Sequence, residues 1–194
     1  AFDEKGLTLS DPDLAGAKLE VKISGGGPCY YFWQVEGVAQ GAPVKEYDVD
    51  LAVRRRLLDR SGAELDYRNV PQGALLIAEI TLKSPEDLEN VVVTDMLPAG
   101  LEIENPRLQS RENFDWIQAD GKYAELYPQH VDMRDDRLLL FAGLNAGREY
   151  RYYYALRAVT AGDFALPPVK AESMYDPTRS SLASSGAISV KKVQ

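Results

Sequence analysis

The chain has one cysteine, Cys29, and one histidine, His130, in 194 residues. A single cysteine excludes an intrachain disulfide and leaves the cellular compartment open. A single histidine narrows the catalytic options. A Ser-His-Asp or Cys-His site would have to use His130, and a zinc site would need His130, Cys29 and carboxylates. The patterns Gly-x-Ser-x-Gly, His-Glu-x-x-His, Cys-x-x-Cys and Walker A are all missing. No apolar run approaches the roughly 18 residues of a membrane-spanning helix, so no membrane insertion is expected. The first residues, Ala-Phe-Asp-Glu-Lys, do not read as a signal peptide. The chain reads as cytosolic or as a piece cut from a longer precursor. Basic residues are outnumbered, 22 against 30 acidic ones, for a net charge of −8. That balance argues against a nucleic-acid partner and against a polybasic membrane-surface module.

What is present describes a globular protein. Apolar residues at 45% and charged residues at 27% do not have the composition of a disordered chain. A chain of this size buries roughly 70% of its unfolded surface, enough to fold without disulfides or a metal. The run Gly25-Gly26-Gly27-Pro28 is glycine-rich, but Tyr30-Tyr31-Phe32-Trp33 follows it as a strand signal. The glycines therefore form a turn rather than a phosphate loop.

The hydrophobic period is two almost everywhere. Lys18 to Ile23 alternates apolar and charged residues, and Tyr30 to Glu36 is an aromatic strand. Gly37 to Tyr47 reads as a linker. Val49 to Asp59 is a long strand closed by the turn Arg60-Ser61-Gly62. In Gly73 to Lys83, one face carries Leu76, Ala78, Ile80 and Leu82, and the other Ile77, Glu79, Thr81 and Lys83. Ser84 to Asp87 turns into the strand Glu89–Asp95, and Leu97-Pro98-Ala99-Gly100 breaks the chain before Leu101–Ile103. Asp135-Asp136 sits between Asp132–Arg134 and Arg137–Ala142 as a hairpin. Gly147 to Thr160 puts Tyr150, Tyr152, Tyr154, Leu156 and Ala158 on one face, with Arg151, Tyr153, Ala155 and Arg157 on the other. Gly162 to Val169 is a prolyl turn with a short strand, and Ala187 to Val190 is a last strand. Arg111 to Ala124 fits neither period and leaves room for one short helix. The whole reads as an all-β, antiparallel β-sandwich of the Ig-like or fibronectin III-like kind.

Each candidate for chemistry has a plainer explanation. Asp132, Asp135 and Asp136 lack the spacing and distal Glu of a calcium loop, and Arg134 and Arg137 interleave them, so a charged hairpin tip is expected. Glu102 and Glu104 share one face of an extended segment as solvated residues rather than a glycosidase pair. Cys29 has neither a helix N-terminus nor a basic neighbour, which describes a partly buried, inert thiol. His130 is a surface or edge residue. Arg54, Arg55 and Arg56 alternate across a strand, so no one face collects a basic patch. Tyr150, Tyr152 and Tyr154 belong to the core, with hydroxyls at its rim. Met174-Tyr175-Asp176-Pro177 is a loop, and the pair Met174 and Tyr175 is the candidate contact surface. No catalytic, cofactor or metal site remains, and the chain is expected not to be an enzyme.

Asn90 to Pro106, which contains Thr94-Asp95-Met96-Leu97-Pro98-Ala99-Gly100, resembles a segment of the last domain of bacterial alpha-2-macroglobulins. Four more stretches match in order: Arg134 to Arg137, Tyr152 to Thr160, Leu166 to Val169, and Met174 to Pro177. Gly26 to Phe32, with Glu36-Gly37-Val38, resembles the closing strands of the CUB-like domain that precedes it. The resemblance implies that residues 1–45 close a CUB-like β domain. It makes residues 46–194 a C-terminal macroglobulin-type sandwich (MG10, receptor-binding-like).

It also implies a parent that is a bait-and-trap protease inhibitor of the periplasm or cell envelope, as an inner-membrane lipoprotein. Its partners would be other domains of the same large chain and, through the parent, target proteases. The family's thioester motif, Cys-x-Glu-Gln, does not occur here, since Cys29 is followed by Tyr30-Tyr31-Phe32. What carries over is a structural role: packing on the thioester-region domain and releasing it on activation, with Met174 and Tyr175 in the contact. The alternative is an Ig-like module of a surface adhesin or envelope structural protein. That reading expects repeated Leu-Pro-Ala-Gly segments, and this sequence has one.

Overall fold

The computed structural model describes residues 44–104, 123–183 and 185–193, together with residues 18, 20, 22, 24–26, 30 and 31. The chain divides into two compact units, Ala1–Gln40 and Gly41–Gln194. In the first unit the backbone bends at Gly25 and Gly26, where Gly25 has a φ of 125°. Most of the strands expected over 18–23 and 30–36 lie outside the described residues, as does Cys29. Tyr30 and Tyr31 are exposed and belong to no strand.

The second unit contains fourteen strands among its described residues. In chain order they are β1 (Tyr47–Val49), β2 (Ala52–Leu58), β3 (Val70–Pro71), β4 (Leu75–Lys83), β5 (Leu88–Met96), β6 (Leu101–Ile103) and β7 (Ala124–Glu125). There follow β8 (His130–Met133), β9 (Arg137–Leu144), β10 (Glu149–Ala158), β11 (Gly162–Leu166), β12 (Val169–Ser173), β13 (Ser180–Leu182) and β14 (Gly186–Lys191). Six strands form one sheet in the order β1-β13-β12-β5-β9-β8. A second runs β2-β4-β10-β6, with β7 also on β10, and a small third runs β11-β14-β3. All pairings are antiparallel except β7 on β10 and β3 on β14. No described residue is helical, and of the ambiguous stretch 111–124 only Tyr123, in a bend, and Ala124, which opens β7, are among the described residues.

The alternation in the sequence decides which side chains meet. Leu76, Ala78, Ile80 and Leu82 of β4 enter the main core with Val91 and Val93 of β5 and Leu138, Leu140 and Ala142 of β9. From β10 come Tyr150, Tyr154, Leu156 and Ala158, with Tyr152 packed against them. The opposite parity builds a smaller cluster, Leu58, Ile77 and Ala155, flanked by Leu75 and Tyr153. The two large sheets are also stitched by polar groups. The Val53 amide of β2 donates to the Ser181 hydroxyl of β13 at 2.9 Å. That hydroxyl in turn donates to Asp48 at 2.5 Å.

The long strand expected from Val49 to Asp59 is broken at its start. Asp50 has a φ of 51°, a left-handed conformation that aspartate tolerates better than most residues. The reversal lets β1 pair with β13 in one sheet while β2 pairs with β4 in the other. Leu51, at the crossing, is buried in the core. An uninterrupted strand could not serve both sheets.

Gly100 explains the Leu-Pro-Ala-Gly break. Its carbonyl accepts the amides of Val159 at 2.9 Å and Thr160 at 3.3 Å. A Cβ at this position would lie 2.3 Å from Cε2 and 2.6 Å from Cδ2 of Phe164 in β11. Gly100→Ala is therefore expected to cost about 1–3 kcal/mol in chemical denaturation, as overpacking does. In a Phe164→Leu background the same substitution should cost less. An equal cost in both backgrounds would show that the ring is not the obstacle.

Candidate interaction site and buried charge clusters

The three consecutive arginines of β2 each meet their own acid. Arg54 reaches Asp48 at 2.6 and 2.9 Å and Glu46 at 2.7 Å. Its hydrogen bonds hold the Asp48 carboxyl below the usual carboxylate range, against the opposing effect of burial. Arg56 donates twice to Glu79, at 2.8 and 2.6 Å. Glu79 is only 2% exposed and also accepts Arg151 at 3.1 Å and the Tyr153 hydroxyl at 2.8 Å. Arg55 points inward, where its guanidinium pairs with Asp95 and donates to the Pro167 carbonyl at 2.5 Å.

The Asp95–Arg55 pair lies between the two sheets. The Asp95 side chain is fully buried, and the Tyr154 hydroxyl donates to it at 2.6 Å. Burial pushes the Asp95 carboxyl up, while Arg55 and Tyr154 pull it back toward the ionised form. Burial, reinforced by Asp95, pushes the Tyr154 hydroxyl well above its ordinary value. This corrects the expectation that the β10 tyrosines send their hydroxyls to the rim. Tyr154 spends its hydroxyl on an internal carboxylate, and Tyr150 accepts the Asn145 amide at 3.3 Å. Parity contained the signal: Asp95 follows Val91 and Val93 on the inward side of β5, and Arg55 lies between Val53 and Leu57 on the inward side of β2.

The remaining acids and His130 have local surroundings. Asp132 is paired with Arg134 at 2.9 Å and Asp136 with Arg137 at 2.5 Å, while Asp135 is exposed at the hairpin tip. Glu104 is paired with Arg157 at 2.6 Å, and Glu102 is exposed on β6. His130 is on the edge strand β8, its ring 5.7 Å from that of Phe141. An open groove of about 300 Å³ runs past Arg54, Arg55, Tyr67, Leu166 and Val169. Both arginines in it already face carboxylates.

Met174 and Tyr175 follow β12 in a bend and are 49% and 81% exposed. The loop leaves the sheet under backbone control. The Ser173 amide donates to the Arg179 carbonyl at 3.0 Å, and the Met174 amide to the Asn90 carbonyl at 3.0 Å. Asn90 has a φ of 57° and sits where the β5–β9 register shifts between Leu88 and Val91. The bulge turns its carbonyl toward Met174, a usual effect of an extra residue in a ladder.

Comparison with known proteins places this geometry. Residues 51–178 match the family described as the bacterial alpha-2-macroglobulin MG10 domain. The chain is similar to the alpha-2-macroglobulin of Xylella fastidiosa, strain Temecula1, with 33% identity over 157 residues, 77% of this chain and 9% of that protein. It is also similar to the crystal structure of native Escherichia coli alpha-2-macroglobulin spanning domain MG7 to the C-terminus. There the TM-score is 0.68 at 26% identity, covering 78% of this chain and 25% of that one. The trypsin-activated form of the Escherichia coli protein gives a TM-score of 0.67 at 25% identity, over 75% of this chain and 11% of that one. The chain thus spans about a tenth of the length of the large relatives it matches.

Removing one member of the Asp95 cluster strands a buried charge. Arg55→Met should destabilise this chain by about 3–5 kcal/mol in urea or guanidinium titration. Replacing the cluster as a whole, with Arg55→Met, Asp95→Leu and Tyr154→Phe, should recover most of that loss. A triple variant as unstable as the single one would mean that packing, not charge, dominates the site.

Proposed function

The chain belongs to the bacterial alpha-2-macroglobulin family through its MG10 domain, and on that premise we propose that it is a non-catalytic docking domain of a large bait-and-trap protease inhibitor. In this reading it is the C-terminal sandwich of the parent, packs on the thioester-region domain, and moves away when a protease cuts the bait. Residues 1–45 close the CUB-like domain before it. In this reading the parent lies in the periplasm or cell envelope, where it meets target proteases.

The match over residues 51–178 is the observation that carries this reading. It places Met174 and Tyr175 inside the matched region, and both are exposed. A tyrosine and a methionine at the tip of a turn supply large contact area with few polar groups to desolvate. Asp48, Glu79, Asp95, Glu104, Asp132 and Asp136 are each engaged by an arginine, which fits a scaffold better than a reaction centre. In the Escherichia coli relative a trypsin-activated form has been solved. A response to proteolysis is the behaviour proposed here for the parent of this chain.

Two measurements on the full-length parent test the reading. Trypsin mixed with it should lose activity on protein substrates and keep activity on small peptides, as a caged protease would. Met174→Ala with Tyr175→Ala should remove about 2 kcal/mol or more of docking energy, as loss of central contact residues does. The native-to-activated shift in gel mobility should then occur roughly thirtyfold more readily. Wild-type mobility and kinetics in the double variant would count against the Met174–Tyr175 contact. Undiminished trypsin activity on proteins would count against inhibition.

A further inference from the structure

The turn that presents Met174 and Tyr175 is held by hydrogen bonds and ion pairs within itself and to a second turn. Asp176 is the hub. Its carboxylate accepts the Thr178 hydroxyl, the Thr178 amide at 3.3 Å and Arg179 Nε at 3.2 Å. Its carbonyl accepts the Arg179 amide at 3.0 Å. The Thr178 hydroxyl, backed by its amide and Arg179, holds the Asp176 carboxyl below the usual range, so the hub stays ionised. Pro177 fixes φ at the centre of the turn.

Arg179 then spans to a different turn. Its Nη1 donates to Glu86 at 2.6 Å across 93 residues of sequence. The Glu86 turn is itself anchored, because the buried Ser84 hydroxyl donates to the Glu86 carbonyl at 2.7 Å and accepts the Glu86 amide at 3.2 Å. With the Asn90 carbonyl on the Met174 amide, the tip is tied both to the turn before β5 and to the bulge within it. None of these bonds uses the side chain of Met174 or Tyr175, and Tyr175 is left 81% exposed.

We infer that Asp176, Arg179 and Glu86 are positioning residues that pre-organise Met174 and Tyr175 for insertion into an apolar pocket on a neighbouring domain of the same parent chain. The inference rests on the docking reading above and names the device that makes it work. An unrestrained loop would lose side-chain and backbone freedom on docking, and a clamped one has lost it on folding. The occupant is a domain of the same chain because about nine-tenths of the length of the large relatives lies outside the matched region. A Met-Tyr tip fits a pocket with apolar walls and one polar group for the phenol.

The test uses the full-length parent with Arg179→Gln, Arg179→Lys, Glu86→Gln, Tyr175→Ala and the Arg179→Gln/Tyr175→Ala pair. Arg179→Gln should ease the native-to-activated transition by about tenfold, the scale of freeing one or two ordered side chains. Arg179→Lys, which keeps the Glu86 pair but loses the fork, should fall between it and the wild type. The double variant should match Tyr175→Ala alone, since a clamp without a tip has nothing to aim. Hydrogen exchange of the segment 173–180 should accelerate in Arg179→Gln, and Glu86→Gln gives the same readout with the Asp176 bonds intact. Unchanged exchange, or effects of Arg179→Gln and Tyr175→Ala that multiply, would overturn the positioning role. If Tyr175→Ala is silent while exchange accelerates, the clamp stands and the docking contact falls.

Discussion

A carboxylate between two apolar sheets must find its counter-charge inside the protein, because leaving it unpaired costs several kcal/mol. Asp95 meets that condition with Arg55 from the opposite sheet and Tyr154 from β10. Arg55 also donates to the carbonyls of Met96, at 3.3 Å, and Pro167. One cluster therefore binds β2, β5, β10 and the link between β11 and β12. Its yield is registration more than stability. A one-residue slip of β5 would carry Asp95 to the outer face and bring Thr94 or Met96 inward. Arg55 would then be the unpaired charge, so the slipped sandwich is penalised twice.

Period-two alternation is strong evidence for strands, and it placed most of this architecture from sequence. The β4 and β10 faces were assigned residue by residue, as was the β8–β9 hairpin around Asp135-Asp136. Alternation is blind to which sheet a strand joins, and this is why Val49–Asp59 read as one strand. The break lies in a single dihedral at Asp50, a residue whose side chain gives only a weak hint of it. Alternation also assigns a charged residue to whichever face its parity dictates, while habit assigns it to solvent. At Asp95 and Arg55 parity and habit conflict, and parity is right because each finds the other on the inward side. Glu79 has the outward parity of Ile77 and Thr81 and is covered there by Arg56, Arg151 and Tyr153.

The exposure of Met174 and Tyr175 was legible for a different reason. Met174-Tyr175-Asp176-Pro177 combines large side chains with turn residues, and turns lie at the surface. The clamp behind it was not legible. Asp176 to Thr178 is a local pattern, but the bond from Arg179 to Glu86 joins positions 93 residues apart. Nothing in either segment alone indicates that the two turns are neighbours. They become neighbours only because β5 and β12 pair antiparallel, which sets the start of β5 beside the end of β12.

That pairing couples the interior to the surface. β12 aligns Val169 with Asp95 at one end and Ser173 with Val91 at the other. The Asp95 cluster fixes the first end against Arg55 and the Pro167 carbonyl. The Asn90 carbonyl captures the Met174 amide at the second, roughly 17 Å away for five residues of strand. The same ladder therefore decides where the buried charge sits and where the exposed tip emerges. A shift of either strand by one residue would bury the wrong side chain and also withdraw the Asn90 carbonyl from Met174. The internal ion pair thus has a use that its modest net contribution to stability would not suggest. It favours the one alignment in which the exposed Met174–Tyr175 tip stands at the end of β12 beside Asn90.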